Sequence, residues 1–227
     1  ENRDDRALRD LMASVGTVTM WDDHEVTNDF YGSPFGAFGP QIIAGNQAFR
    51  DYMPIRENPG DAMQLYRSIR WGQVAEFLLI DDRQYRDPQA YITEPGCLVA
   101  GEPSVLPTPA CTVEINDPGR QYLGVAQTAW LKNALLTSTA TWKFVMNGPF
   151  LSALQFLPYD RWEGYAAART DILEFIVANN IENVVFLSTD IHAAIVNDAV
   201  ANPRGSGGSV REIVAGAIGM DPIFREL

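Results

Sequence analysis

Histidine is scarce in this 227-residue chain: there are two, His24 and His192, so any imidazole chemistry must run through one of those positions. Cysteine is equally scarce, with Cys97 and Cys111 alone, and the absence of a C-x-x-C spacing excludes the usual thiolate-metal and dithiol redox motifs. No apolar run approaches the roughly 20 residues that a bilayer-spanning helix needs, and no signal-peptide pattern opens the chain, which predicts a soluble or already processed protein. Basic residues are outnumbered, 17 Lys and Arg against 29 Asp and Glu, for a net charge of -12. That field repels nucleic-acid backbones. A small phosphate substrate is still compatible, because metal ions and a few arginines invert the potential locally.

What is present is enough for one domain over residues 1–227, since 46% of the chain is hydrophobic and a chain of this length buries a full core. With no repeat, low-complexity tract or charge block, the layout follows from apolar pattern and punctuation. Four short runs read as strands: Gly16 to Trp21, Ala75 to Ile80, Trp142 to Met146 and Asn183 to Leu187. Being apolar on both faces, they are expected to sit inside a sheet covered by helices. Helical spacing of Leu123, Ala126, Gln127, Trp130, Leu131, Ala134 and Leu135 predicts one helix within 122–139, and Tyr165, Ile172, Leu173, Ile176 and Val177 predict another within 162–179. The stretch Phe30 to Gly45, with six Gly or Pro residues, reads as a long ordered loop. Helix alternating with strand gives an α/β class.

Each of the four strands runs into polar residues. Trp21 leads into Asp22, Asp23, His24 and Glu25, and Leu187 leads through Ser188 and Thr189 into Asp190 and His192. Carboxylates and imidazoles on two separated loops are the donors that Ca²⁺, Mn²⁺, iron or Zn²⁺ prefers, and the carboxyl ends of α/β strands are where such ligands gather. Taken singly, each cluster is also compatible with a His hydrogen-bonded to its Asp neighbour. Arg83, just past the second strand, is placed either to fork two bonds to a phosphate or to pair with Asp81 or Asp82. Asn147, past the third, either offers a carbonyl ligand or forms an Asn-Gly-Pro turn. Glu25 is expected to anchor loop amides. The segment between the cysteines, Leu98 to Ala110, reads as a surface excursion. Cys97 and Cys111 are either free thiols or a disulfide closing about 15 residues, worth about 3 kcal/mol and implying an oxidising compartment.

Seven motifs, in order, carry a resemblance. Trp21-Asp22-Asp23-His24-Glu25-Val26 with Asn28 is similar to the WDDHEv.N signature of the alkaline phosphatase D (PhoD-like) family of metallophosphatases and phosphodiesterases. Ala48 to Arg56 resembles its AY.EYMPiR segment, Leu65 to Gly72 its lYRs.rwG run, and Ile80 to Arg86 its lDtRqYR run. Leu123-Gly124, Gln127 and Trp130-Leu131 match LG..Q..WL, Trp162 to Tyr165 with Arg169 matches W.GY...R, and Val185 to His192 resembles vvfLSGDvH. Two departures stand out. Thr189 replaces a glycine, so a left-handed backbone there would be strained or the loop reshaped. The chain also starts at a segment the family places well inside the protein, so the upstream half, with its GD.iYE motif and further ligands, is expected to be absent from it.

The resemblance implies a four-layer α-β-β-α sandwich, incomplete on its N-terminal side, that hydrolyses small phosphate esters at a calcium and iron centre or with other divalent ions. It places Asp22, Asp23, Asp190 and His192 on the metal or in its immediate surroundings, leaving the choice between Asp22 and Asp23 open. His24 becomes either a group behind the metal ligands or the donor of a proton to the leaving alkoxide, while Arg83 and Asn147 are candidate substrate contacts on their strand-end positions alone. Many relatives are exported, which implies a secreted or periplasmic location. Two other readings share these residues: a non-catalytic fragment or calcium-binding extracellular module, and a metal-dependent hydrolase of non-phosphate esters. Oligomeric state is not encoded in these motifs.

Overall fold

The computed structural model describes residues 5–201 and 208–216. Its elements run α1 (Arg6–Ser14), α2 (Gly39–Tyr52), β1 (Arg67–Trp71), β2 (Ala75–Leu79), α3 (Ala90–Thr93), β3 (Leu98–Val99), β4 (Glu102–Pro103) and α4 (Pro109–Ile115). They continue α5 (Gly124–Thr137), β5 (Trp142–Met146), α6 (Ala166–Ala178), β6 (Val184–Ser188), β7 (Ile195–Val200) and β8 (Ser209–Val214). The class is α/β.

Among the described residues, six strands form one sheet in the order β1-β2-β5-β6-β8-β7, and β3 pairs with β4 in a separate hairpin. Strands β2, β5, β6 and β8 are parallel, while β1 and β7 close the edges antiparallel. Register is set by the apolar pattern, because a slip of one residue would turn every core side chain outward. Leu78, Val145, Phe186 and Val210 therefore all point to the same side, where Leu131, Leu135, Ile172, Leu173, Ile176 and Trp162 from the helical layer complete the main core. Each such Leu, Ile or Phe contributes about 1.5–3 kcal/mol by leaving water.

The opposite face is only partly covered. Phe77 stacks on Phe144, and Phe144 on Trp142, yet Trp142 keeps 41% of its surface exposed, Ile213 38% and Val196 66%.

Two expectations are corrected. Gly16 to Trp21 forms no strand: its β-forming composition finds no neighbouring backbone among the described residues, and Thr19 O instead accepts from the Arg67 side chain at 2.6 Å. Nor is Phe30 to Gly45 all loop, since α2 begins at Gly39. Pro40 suits the first turn of a helix, where its missing N–H is not needed. Gly45 is a packing residue: a Cβ there would lie 2.7 Å from Val26 Cγ2 and 2.8 Å from Glu25 O.

Cys97 and Cys111 are bonded and fully buried with Ala90, Ile115 and Tyr159 in a small core of their own. Replacing both by serine is expected to lower the free energy of unfolding by about 3 kcal/mol through lost loop restraint. An unchanged denaturant midpoint would show that the bond adds nothing.

Candidate metal centre

Because β2, β5 and β6 are parallel, their carboxyl ends open at one edge of the sheet and the residues after them meet there. Asn147 N donates to Leu187 O at 2.9 Å, Thr189 N to Gly148 O at 2.8 Å, and Gly148 N to Asp82 Oδ2 at 2.8 Å. Gln127 on α5 holds the third turn, accepting from Asp81 N at 2.7 Å and donating to Asp81 O at 2.7 Å. The loop from Asp22 to Asp29 docks over this edge. Val26 N and Thr27 N donate to Asp23 O at 2.8 and 2.9 Å, and Asp29 N donates to Asp23 Oδ2 at 2.9 Å. Glu25 accepts from Asp22 N at 2.9 Å, the anchoring expected of it.

These loops bring Asp22, Asp23 and Asp190 together, one oxygen of each lying within 4.8 Å of the others. Oxygens ligating one cation at 2.3–2.6 Å stand at most about 5 Å apart, so the set fits a single hard ion. The backbone is also unusual: Asp190 has φ 68° and His192 φ 52°, left-handed values that cost non-glycine residues energy and cluster at functional sites. Thr189 does not share them. The left-handed strain therefore falls on residues that follow Thr189 and not on the threonine itself.

The histidines stand further out. His24 is 77% exposed, its Nε2 4.0 Å from Asp23 Oδ1. His192 is half-buried and not among the three mutually close donors.

Arg83 and Asn147, expected as substrate contacts, are both fully buried and held by protein partners. Arg83 pairs neither with Asp81 nor closely with Asp82: Nε lies 2.6 Å and Nη2 2.5 Å from Asp22 Oδ1, and Nη1 donates to both oxygens of Asp160 at 2.9 Å. The Asn147 amide accepts from Trp162 Nε1 at 2.8 Å and donates to Ser188 Oγ at 2.9 Å and Pro149 O at 2.5 Å. Both side chains lie on the buried side of the pocket.

Two acids escaped sequence reasoning. Asp82 reaches the centre through Gly148, which a chain of like carboxylates after a strand does hint at. Asp160 sits in a loop far away in sequence and had no local signal; its contacts are entirely tertiary.

Electrostatically the pocket is short of positive charge. Asp22, Asp23, Asp29, Asp82, Asp160 and Asp190 share it with Arg83 and Arg86, six acids against two bases, so four negative charges are unbalanced when all are ionised. Burial, reinforced by Asp22 and Asp160, pushes Asp190 up to about 7. Burial also raises Asp22 against the pull of Arg83, and lifts Asp82 well above the usual carboxylate range with Asp22 adding to it. Asp160 is the exception: burial works upward, but Arg86 and Arg83 override it and bring it down to about 2. Carboxylates this reluctant to ionise, side by side and partly uncompensated, are what a bound cation would satisfy.

The arrangement defines a class: an α/β protein with an acidic, cation-type pocket at the carboxyl ends of a mostly parallel sheet. The chain belongs to the PhoD-like phosphatase family, whose sequence model matches residues 1–226. It is 35% identical over 208 residues to alkaline phosphatase D of Bacillus subtilis (strain 168), covering 85% of this chain and 33% of that protein. A solved structure described as "Structure of PhoD" superposes with a TM-score of 0.77 at 30% identity, over 95% of this chain and 42% of the other. The chain thus spans less than half the length of either relative.

Proposed function

We propose that this chain supplies part of the catalytic domain of a metal-dependent phosphoric ester hydrolase, acting on monoesters, diesters or both. The observation that carries the reading is the convergence of Asp22, Asp23 and Asp190 in a chain of this family. Those three would hold the ion, with His192 beside them on the same strained loop; calcium and iron are the metals the resemblance implies. A bound cation supplies Lewis acidity, polarising a phosphoryl oxygen and acidifying a water. It also resolves a conflict, because a pocket with six acids against two bases otherwise repels a phosphate. His24, whose exposure and 4.0 Å approach to Asp23 Oδ1 support the reading, would give a proton to the departing alkoxide. Arg83 and Asn147 hold the carboxylates and turns that shape the pocket.

The uncovered sheet face supports the four-layer architecture, since Phe77, Phe144, Trp142, Val196 and Ile213 present an apolar surface suited to a second sheet. The buried disulfide supports an oxidising, secreted or periplasmic location. The test is hydrolysis of nitrophenyl phosphate and its bis-ester before and after chelation. Activity abolished by chelator, restored by added metal and lost in His192→Ala is the expected result; activity indifferent to chelation sinks the reading.

A further inference from the structure

Asp160 lies outside every motif that drew attention to this pocket, yet both buried guanidinium groups converge on it. We propose that Asp160 is a positioning residue for the cation: by fixing the outer nitrogen of Arg83, it confines Arg83 to one oxygen of Asp22 and leaves the other for the ion. The inference rests on reading the carboxylate cluster as a cation centre.

The geometry of Arg83 carries it. An arginine facing a carboxylate normally forks two parallel bonds onto its two oxygens. Here Nε and Nη2 both close on Asp22 Oδ1, at 2.6 and 2.5 Å, and among the described residues no hydrogen bond reaches Asp22 Oδ2. What forbids the ordinary fork is the far side of the same plane, where Nη1 is held at 2.9 Å by both oxygens of Asp160. A rigid guanidinium anchored at one end cannot rotate at the other.

Asp160 also sets the opposite end of the acidic loop. Arg86 Nη2 donates to Asp160 Oδ1 at 2.5 Å while reaching Asp29 O at 3.2 Å and Phe30 O at 3.0 Å. Gln89 Nε2 joins Asp160 Oδ1 at 3.2 Å to Asp29 O at 2.7 Å. One carboxylate therefore registers the Asp22–Asp29 loop from both ends.

The experiment is calorimetric titration of the chain with Ca²⁺ and Mn²⁺, alongside melting in chelator. Asp160→Asn removes the clamp, frees Arg83 to fork onto both oxygens of Asp22, and is expected to weaken binding by about tenfold or more. Adding Arg83→Met to Asp160→Asn removes the competitor and is expected to restore most of the affinity, a rescue that a merely structural role would not give. Arg83→Lys provides a second route: a single ammonium cannot bridge both carboxylates, so affinity should again fall while the fold persists. Unchanged affinity in Asp160→Asn or Arg83→Lys, or a double variant no better than Asp160→Asn, overturns the proposal. If the unsubstituted chain binds neither ion, the cation centre itself fails, which is a distinguishable outcome.

Discussion

Asp190→Asn is expected to weaken cation binding by more than about 100-fold, because even groups that only orient metal ligands are worth 10–100-fold. The same substitution is expected to stabilise the cation-free protein at pH 8. The sign follows from linkage. In the folded chain Asp190 keeps its proton up to about 7, whereas the unfolded chain releases it near the ordinary value of 3.8. Between those values the folded state binds more protons than the unfolded one, so stability falls as pH rises through the window, and the full penalty persists above it. Asparagine cannot ionise and escapes the penalty, and it tolerates the left-handed backbone that position 190 adopts. In chelator the variant should therefore melt above the parent at pH 8 and with it below pH 4, and the order at pH 8 should reverse in saturating Ca²⁺ or Mn²⁺. A variant that binds cation as tightly as the parent would remove Asp190 from the centre.

Gly148→Ala carries the second large effect. A Cβ at this position would lie 2.8 Å from Asp22 Oδ1, 2.9 Å from Asp82 Oδ2 and 3.0 Å from Asp22 Cγ. Neither carboxylate can swing aside: Asp82 is fully buried and accepts from the Gly148 amide itself, and Asp22 is gripped by Arg83. Overpacking of this kind typically costs about 1–3 kcal/mol, and displacing Asp22 should reduce cation affinity as well. Gly16→Ala is the matched control, since nothing lies within 4 Å of its added methyl; surface changes of that sort stay within about 0.5 kcal/mol. Equal denaturation midpoints for the two variants would show that the strand-end turn has slack the structure does not suggest.

The parts of the molecule that could be read from sequence are those whose signal is local. Ala75–Leu79, Trp142–Met146 and Val184–Ser188 announce themselves as short, mostly apolar runs ending in polar turns, and helices α5 and α6 by their spacing. The acids at those turns came together because parallel strands end at the same edge. Gly16 to Trp21 shows the limit of this reasoning: Thr, Val and Trp favour a strand, but a strand also needs a neighbour, which no local pattern reports. In α2, Gly39, Pro40 and Gly45 looked like loop punctuation, yet one starts a helix, one sits in its first turn and one lets it approach the acidic loop. Asn147 and Arg83 carry chemistry suited to substrate, but neither their burial nor the partners that hold them could be read from the sequence. Asp160 is the extreme case, since its importance consists of contacts with residues more than seventy positions away.

The half-covered face of the sheet has a colloidal consequence. Trp71 is 71% exposed, Val196 66% and Trp142 41%, so an oily plane is carried on a molecule of net charge -12. Copies of the chain are held apart by mutual repulsion whose reach shrinks to about 10 Å in 0.1 M salt, and which vanishes near the isoelectric point, about 4.5. How readily the chain stays dispersed is therefore a matter of ionic conditions, set by its acidic surface acting against that plane.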